Sequence, residues 1–280
     1  MTVATLQSLL LTGGGRVQSA IQRASARTGV DFNYLLGQAQ VESSLRPDAR
    51  AATSSASGLY QFIDQSWLST VKKHGAEHGL GWAADAISQS GNRYTVSDSA
   101  TRSAILKLRE NPDIASLMAA EYASDNKAAL ESTLGREVGG VDLYMAHFLG
   151  VGGAKKFLTA LENNPGTTAA QLFPAAAASN RNVFFGEGGR ARSISEVYGR
   201  FAAKLQKGAE LAAGGKALPP IAAPGKNGDG AFQLAVLQQD DQNEVATLDQ
   251  LLASTSRASM LRPTPNSAKL AYMLLASMGA

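Results

Sequence analysis

The strongest constraint on the fold is a long segment, residues 112–134, that lies between a helix start signal and a helix stop signal. Asn111 is a suitable N-cap, Pro112 suits the first helical position, and Gly135 suits the position just past the last turn. The chain is visibly rich in Ala, a strong helix former, whereas clear alternating strand patterns are scarce. The sequence therefore predicts an all-α protein.

Further helices follow from similar signals and from apolar residues at helical spacing. Asp31 is the predicted cap of one of them, and Glu42 falls in its last turn. Because Pro47 cannot continue a helix, the chain must leave this one soon after the glutamate. The other predicted helices cover residues 16–27, 65–74, 98–109, 141–149, 153–162 and 193–211.

A shift in composition near residue 212 indicates a domain boundary. Residues 212–230 are rich in Gly, Pro, Ala and Lys, which is typical of a flexible linker. We predict an N-terminal helical segment (1–28), a main helical domain (29–211), this linker, and a partly helical tail (231–280). The tail has too few apolar residues for a core of its own, so it docks on the main domain, binds a partner or stays mobile.

Charge and composition exclude several classes of protein. The net charge of +3 is spread along the chain without a dense Lys/Arg run, so we expect no nucleic-acid partner. The absence of cysteine excludes disulfides, thiolate metal sites and a cysteine nucleophile. No apolar run reaches the roughly 20 residues of a transmembrane helix. Residues 9–11 are apolar but lack a preceding basic segment, so no secretory signal is expected there.

The candidate chemistry lies between Val41 and Asp64. Glu42 is followed by Ser43 and, four residues later, by Pro47; a small-residue loop then leads into Gly58-Leu59-Tyr60-Gln61-Phe62. An acid at a helix end, beside a loop with amide and aromatic side chains, suits a protein that grips a sugar polymer and protonates its glycosidic oxygen.

The pattern Glu42-Ser43-x-x-x-Pro47 followed by Gly58-Leu59-x-Gln61-Phe62 resembles the signature of the soluble lytic transglycosylase domain, a family with the goose-type lysozyme fold. A looser resemblance extends over residues 30–205. It implies an enzyme of the periplasm or cell wall that cleaves peptidoglycan between N-acetylmuramic acid and N-acetylglucosamine and leaves 1,6-anhydromuramic ends. It implies no cofactor and no metal.

The resemblance also implies residue roles. Glu42 is the single acid and base, Gln61 hydrogen-bonds the substrate near the scissile bond, and Ser43 helps to hold the glutamate. The remaining loop residues implied in substrate binding are Gly58, Leu59, Tyr60 and Phe62. A general acid that works near neutral pH needs a raised pKa, which burial against Leu45, Leu59 and Phe62 would supply. Without its motif, Glu42 would be an ordinary solvated glutamate at a helix end.

Two later residues carry open alternatives. His147, in Ala146-His147-Phe148-Leu149-Gly150, stands where the family has a tyrosine with a supporting catalytic role. It either donates a hydrogen bond to the acid or the sugar, or it is a core histidine. Tyr198 on the last helix either reaches back toward Glu42 or packs in the core.

Aromatic rings offer candidate faces for stacking on sugars. Tyr60 is the preferred candidate because it lies inside the loop, while Trp67, beside Leu68 and Val71, is expected in the core. Trp82 and Tyr94 are further candidates.

Two competing motifs are weaker. His74-Gly75-Ala76-Glu77-His78 matches the H-x-x-E-H pattern of zinc peptidases, but glycines weaken the helix it needs, so we expect a frayed helix end with exposed histidines. The glycine-rich run from Gly150 to Lys156 lacks the Ser or Thr and the preceding strand of a phosphate loop, and it is interpreted as a turn between helices.

The sequence therefore predicts a peptidoglycan lytic transglycosylase that acts on glycan strands. The alternatives are a muramidase-type hydrolase and a non-catalytic peptidoglycan-binding module that serves the assembly of a wall-spanning apparatus. A secretion, flagellar or virion apparatus is a candidate partner, contacted through the tail.

Overall fold

The computed structural model describes residues 13–52 and 54–221, and this part of the chain is mostly helical, which confirms the all-α class. The only sheet within these residues is an antiparallel pair of short strands, β1 (Ser88–Ser90) and β2 (Arg93–Thr95). No helix in the two described ranges is both long enough and apolar enough to cross a membrane. The α-helices are α1 (Gly13–Thr28), α2 (Phe32–Ser43), α3 (Asp64–His74), α4 (Gly81–Ala86), α5 (Ser99–Lys107), α6 (Pro112–Leu134), α7 (Gly140–Asn163), α8 (Ala169–Leu172), α9 (Pro174–Ser179), α10 (Arg181–Phe184) and α11 (Ile194–Ala212).

Capping side chains explain where the main helices begin. The Asp31 carboxylate accepts a hydrogen bond from the N–H of Tyr34 at 2.7 Å and starts α2. The amide oxygen of Asn111 accepts from the first turn of α6, and Gly135 ends that helix with a φ of 65°. Ser193 and Glu196 cap the start of α11 reciprocally. These starts agree with the boundaries predicted for the three helices.

Helix α7 differs from the prediction of two helices separated by a glycine-rich break. It runs from Gly140 to Asn163 and is interrupted at one residue, Gly150, with φ 71° and ψ 161°. Because only Gly150 leaves the helical region, the glycines that follow it continue the helix. The sequence also gave no signal for the hairpin or for the short helices α4 and α8–α10, which contain too few turns to show a hydrophobic period.

Five helices form the frame that positions the candidate site. Helix α1 packs on α6, α2 packs on α11, and α7 contacts both α6 and α11. Helices α2 and α11 meet at two glycines: a Cβ atom on Gly37 would lie 2.6 Å from the carbonyl oxygen of Leu205, and one on Gly208 would lie 3.0 Å from that of Gly37. The two backbones therefore touch, and the end of α2 is held close to α11.

Contacts with the core cross both predicted boundaries of the main domain. Val17, Ile21 and Ala24 of α1 are buried in the common core, so this helix is part of the main body and not of a separate segment. Beyond α11, Ile221 is buried and its N–H donates to the side-chain oxygen of Gln206 at 3.0 Å. The described part of the predicted flexible linker is therefore attached to the body at Leu218 and Ile221, which both hydrogen-bond to Gln206. The expectations for residues 1–12, 222–230 and the tail 231–280 lie outside the described residues.

Candidate functional site

Glu42 lies in the last turn of α2, where the chain reverses sharply. Ser44 and Leu45 both adopt left-handed backbone angles, with φ of 54° and 59°, and the N–H of Ser44 caps the carbonyl oxygens of Ala39 and Gln40. Non-glycine residues rarely occupy this region, so the turn is strained. Glu42 is only 6% exposed, which excludes the alternative of a solvated helix-end glutamate.

Two side chains of α7 hold the Glu42 carboxylate through one of its oxygens. The hydroxyl of Tyr144 donates to Oε1 at 2.9 Å, and Nε2 of His147 lies 3.5 Å from the same atom. Tyr144 and His147 are three residues apart, on the same face of the helix, and their rings stack at 5.9 Å. Within residues 13–52 and 54–221, no hydrogen bond is made to Oε2. The carboxylate is therefore fixed at one oxygen and available at the other.

The environment of Glu42 favours its ionised form. Burial raises the pKa of its carboxyl. The hydrogen bond and charge of His147, the charge of Lys204 and the hydrogen bond from Tyr144 have the opposite effect. Together they outweigh burial, so the pKa lies below its ordinary value of 4.5. The expectation of a raised pKa is therefore wrong: burial is present, but it is outweighed by donors and cations that the sequence motif does not include.

An aromatic wall shields this group from water. Phe201 of α11 packs against Tyr144, with ring centroids 5.4 Å apart, and against Phe148 at 4.7 Å. Burial first, and then the charge of Glu42, raise the pKa of the Tyr144 hydroxyl well above its usual range. Tyr144 therefore stays a neutral hydrogen-bond donor. His147 is the more accessible partner of the acid, because 21% of its side chain is exposed.

The loop that contains Gly58 and Gln61 is folded back on itself. Gly58 has a φ of 81°, and a Cβ atom there would overlap the carbonyl oxygen of Arg109, so only glycine fits. The side-chain nitrogen of Gln61 donates to the carbonyl oxygens of Ala49 at 3.2 Å and Gly58 at 2.8 Å. Its Oε1 is buried without a hydrogen-bond partner among the described residues. Gln61 thus braces the loop, and no hydrogen bond joins it to Glu42 in this part of the chain.

Arg109, in the segment before α6, holds the same loop through its side chain. Its buried guanidinium donates to the carbonyl oxygens of Ser55 at 2.8 Å and Phe62 at 2.9 Å, and to the Asp64 carboxylate at 3.0 Å. Sequence reasoning missed this residue, because nothing in its local sequence distinguishes a buried arginine from an exposed one.

Several residues of the motif contact the interior of the protein and do not make the predicted contacts. The Ser43 hydroxyl donates to the carbonyl oxygen of Ala39 at 3.0 Å, one turn earlier in α2, and so does not hold the glutamate as expected. Leu59, Tyr60 and Phe62 are buried in the core, and Tyr60 is only 1% exposed. The expectation that the Tyr60 ring stacks on sugar is therefore wrong, because no face of it is open.

The other aromatic candidates also have defined positions. Trp67 is buried, and its indole nitrogen donates to the carbonyl oxygen of Ile105 at 2.8 Å, which confirms the core interpretation. Trp82 is 49% exposed, and Tyr94 lies partly buried on β2. Of these rings, only Trp82 offers an open face.

Tyr198 does not reach Glu42. Its hydroxyl donates to Oδ1 of Asp142 at 2.8 Å, while Arg136 donates to Oδ2 of the same carboxylate at 2.7 Å and the N–H of Gly139 donates to Oδ2 at 3.2 Å. The alternative of a packed structural residue is the correct one, because Tyr198 ties α11 to the start of α7. The tyrosine beside the acid is Tyr144, which sequence reasoning missed. Its spacing of three residues from His147 was the available signal.

The histidines of the H-x-x-E-H motif are paired with carboxylates of α6. Nε2 of His78 lies 2.7 Å from Glu121, and Nε2 of His74 lies 3.0 Å from Asp125. The expectation that they are exposed is wrong, since only 9–12% of their side chains is open. Glu77 is exposed. In the part of the chain that the structure describes, no group of three or more histidines and carboxylates is arranged to hold a metal ion.

A scan of the chain against protein-family models finds no match. The chemical meaning of the site thus depends on its geometry: a buried carboxylate with one oxygen bound by Tyr144 and His147 and the other oxygen unoccupied. Such a group can give a proton to, or take one from, a ligand that approaches Oε2.

Proposed function

We propose that the protein is a peptidoglycan lytic transglycosylase with a goose-type lysozyme-like helical fold and that Glu42 is its single acid and base. The observation that carries the proposal is the one-sided binding of the Glu42 carboxylate by Tyr144 and His147. Support also comes from the resemblance of residues 42–62 to the transglycosylase signature, and from the burial of the acid, which keeps competing water away.

The reaction needs one proton and no second carboxylate. Glu42 gives a proton from Oε2 to the glycosidic oxygen, and the bond from that oxygen to C1 of N-acetylmuramic acid breaks. The carboxylate then takes the proton of the C6 hydroxyl of the same sugar, whose oxygen bonds to C1. A 1,6-anhydro ring closes, and no water enters. Glycosidases that rely on two carboxylates differ, because they either admit water or form a covalent intermediate.

The pKa of Glu42 results from opposed influences. Burial raises it, while the hydrogen bond and the charge of His147 are the largest causes that lower it. The first step needs a proton on Glu42, which burial favours once the contact with His147 is weakened by a bound ligand.

The lowered pKa is also the observation that favours the alternative, a peptidoglycan-binding module without turnover, since an ionised Glu42 gives no proton. In that function Glu42 and His147 would contact the glycan, and the chain would serve the assembly of a wall-spanning apparatus. A muramidase-type hydrolase is the alternative among enzymes, with water in place of the C6 hydroxyl.

Digestion of purified cell wall separates these functions. We expect the wild-type protein to release fragments with anhydro ends, which are one water lighter than hydrolysed ends in mass spectrometry. Glu42→Gln is expected to lower the rate about 10²–10⁴-fold, the typical contribution of a general acid. Glu77→Gln is the matched control, because Glu77 is an exposed glutamate of the unrelated motif. It should cleave at the wild-type rate.

Other products would contradict the proposal in distinct ways. Reducing muramic ends would identify a hydrolase. Wild-type protein that sediments with cell wall and releases no fragment would identify a binding module. Equal activity of Glu42→Gln and Glu77→Gln would remove Glu42 from the chemistry altogether.

A further inference from the structure

A concave feature begins three residues after Glu42. It is a cavity of about 790 Å³ between the start of α1, the turn that follows α2 and the segment that leads into α6. Its apolar lining includes Val17, Leu45 and Pro47, and its charged lining includes Arg16, Arg46 and Lys107. It is therefore an apolar pocket with a cationic rim.

The cationic groups of this rim are free of carboxylate partners. Within the described ranges, Arg16 and Lys107 make no ion pair, and the side-chain contact of Arg46 is a bond from Nε to the carbonyl oxygen of Ser43 at 3.3 Å. The lining carboxylate, Glu110, is paired with Arg50. Unpaired cations around a pocket attract an anion from solution.

Asn111 adds a neutral donor to the same rim. Its side-chain oxygen accepts from the N–H groups of Asp113 and Ile114, which fixes the orientation of the amide. The amide nitrogen makes no hydrogen bond to any residue that the structure describes. The donors that the pocket offers to a carboxylate therefore come from Arg16, Arg46, Lys107 and Asn111.

We propose that this pocket binds the peptide stem of peptidoglycan through its carboxylates, an inference that rests on the proposed function. The stem is attached to the muramic acid whose bond is cleaved, and it carries both alanine methyl groups and free carboxylates. The methyl groups suit the apolar lining and the carboxylates suit the rim. A phosphate group of the cell wall would meet the cations but would leave the apolar lining in contact with water.

The distance from the acid suits such a stem. Arg46 follows Glu42 by four residues, so their Cα atoms are at most about 14 Å apart even in a fully extended chain. The left-handed turn at Ser44 and Leu45 shortens this path. A stem of four residues has a similar reach, so one muramyl peptide can occupy the pocket while its sugar lies at Glu42.

The test compares two substrates from one cell-wall preparation: glycan strands with their stems, and strands from which an amidase has removed the stems. The measured quantity is the ratio of the rates at which anhydro ends form on the two substrates. The pocket variant is Arg16→Gln/Lys107→Gln. The matched control is Arg93→Gln/Lys216→Gln, which removes the same charge at two exposed positions without partners among the described residues. Circular dichroism verifies that both variants fold.

We expect the wild type and the control to prefer stem-bearing strands. In the pocket variant the ratio of the two rates should fall about tenfold, because two charge-assisted contacts with the stem are lost. An equal ratio in all three proteins would overturn the pocket assignment, while anhydro ends from stem-free strands would leave the proposed function intact. An equal loss on both substrates would identify a contact with the glycan itself and would also overturn it. If the wild type forms anhydro ends on neither substrate, the proposed function fails, and the pocket assignment falls with it.

Discussion

Among the described residues, two buried carboxylates each accept a hydrogen bond from a tyrosine, yet their surroundings differ. Asp142 is fully buried and has partners on both oxygens: the Tyr198 hydroxyl, the Arg136 guanidinium and the N–H of Gly139. Glu42 has partners on one oxygen only within residues 13–52 and 54–221, and they are a tyrosine and a histidine. A carboxylate that is completely bound stabilises a fold, whereas one with an unoccupied oxygen keeps the capacity to exchange a proton with a ligand.

The largest expected difference is in stability. Asp142→Asn removes a fully buried charge and leaves Arg136 with Glu162 as its charge partner, so it should lower the free energy of unfolding by about 3 kcal/mol. Glu42→Gln should change it by less than about 1 kcal/mol, since the glutamine side chain has the same size and its amide oxygen can still accept from the Tyr144 hydroxyl. Urea denaturation of both variants at neutral pH measures the difference. Similar losses in the two variants would mean that both carboxylates are structural.

The two tyrosines offer the next test. Tyr144→Phe removes the donor to Glu42 and should lower the rate of wall cleavage about 10–100-fold, which corresponds to a hydrogen bond of about 1.5–3 kcal/mol to a charged group. Tyr198→Phe removes the donor to Asp142 and should lower stability by a comparable free energy while the rate per folded molecule changes little. Rates and unfolding curves of both variants check this. A rate loss confined to Tyr198→Phe would reverse the assignment of the two tyrosines.

The smallest effect concerns acid pH. The pKa of Glu42 is lower in the folded protein than in the unfolded chain, so below about pH 4.5 the unfolded state binds more protons and stability falls as the pH decreases through the folded pKa. Asp125 and Glu196, whose pKa values are also lowered, contribute in the same direction. Each such proton adds up to about 1.4 kcal/mol per pH unit to the slope.

Two variants measure how much Glu42 contributes to this dependence of the free energy of unfolding on pH. Glu42→Gln removes its titration, and His147→Gln raises its pKa by removing the charge and hydrogen bond that lower it most. Both should lose stability less steeply than the wild type when unfolding is measured between pH 5 and pH 3. An unchanged slope in both would show that Glu42 and His147 do not interact as their 3.5 Å separation implies.

Local signals in the sequence predicted the long helices because each signal acts within a few residues. Asp31, Asn111, Ser193 and Gly135 form caps and a stop through their own side chains or backbone angles, so tertiary packing did not need to be known. Glu42 was identified as the candidate acid because its motif lies within a short stretch of sequence, residues 42–62. Its burial and the closed conformation of the loop after it required partners far along the chain.

The partners of the acid could not be predicted in the same way. Tyr144 and Tyr198 are both aromatic residues on long helices, and the one sequence signal that separates them is the spacing of three residues between Tyr144 and His147. The register of α7 against α2 decides which of them faces Glu42, and it depends on packing between helices that are about 100 residues apart in the chain. Comparison with the family motif directed attention to His147 alone, although Tyr144 lies on the same helix face.

The glycine contact between α2 and α11 has a consequence for protein engineering. Because Gly37 and Gly208 bring the two backbones together directly, the spacing of these helices depends on the absence of a side chain at both positions. A combinatorial library that varies residues near Glu42 should therefore retain both glycines. Introducing alanine at either one would separate the helices and move the end of α2, so such clones would be lost from the library whatever their other substitutions.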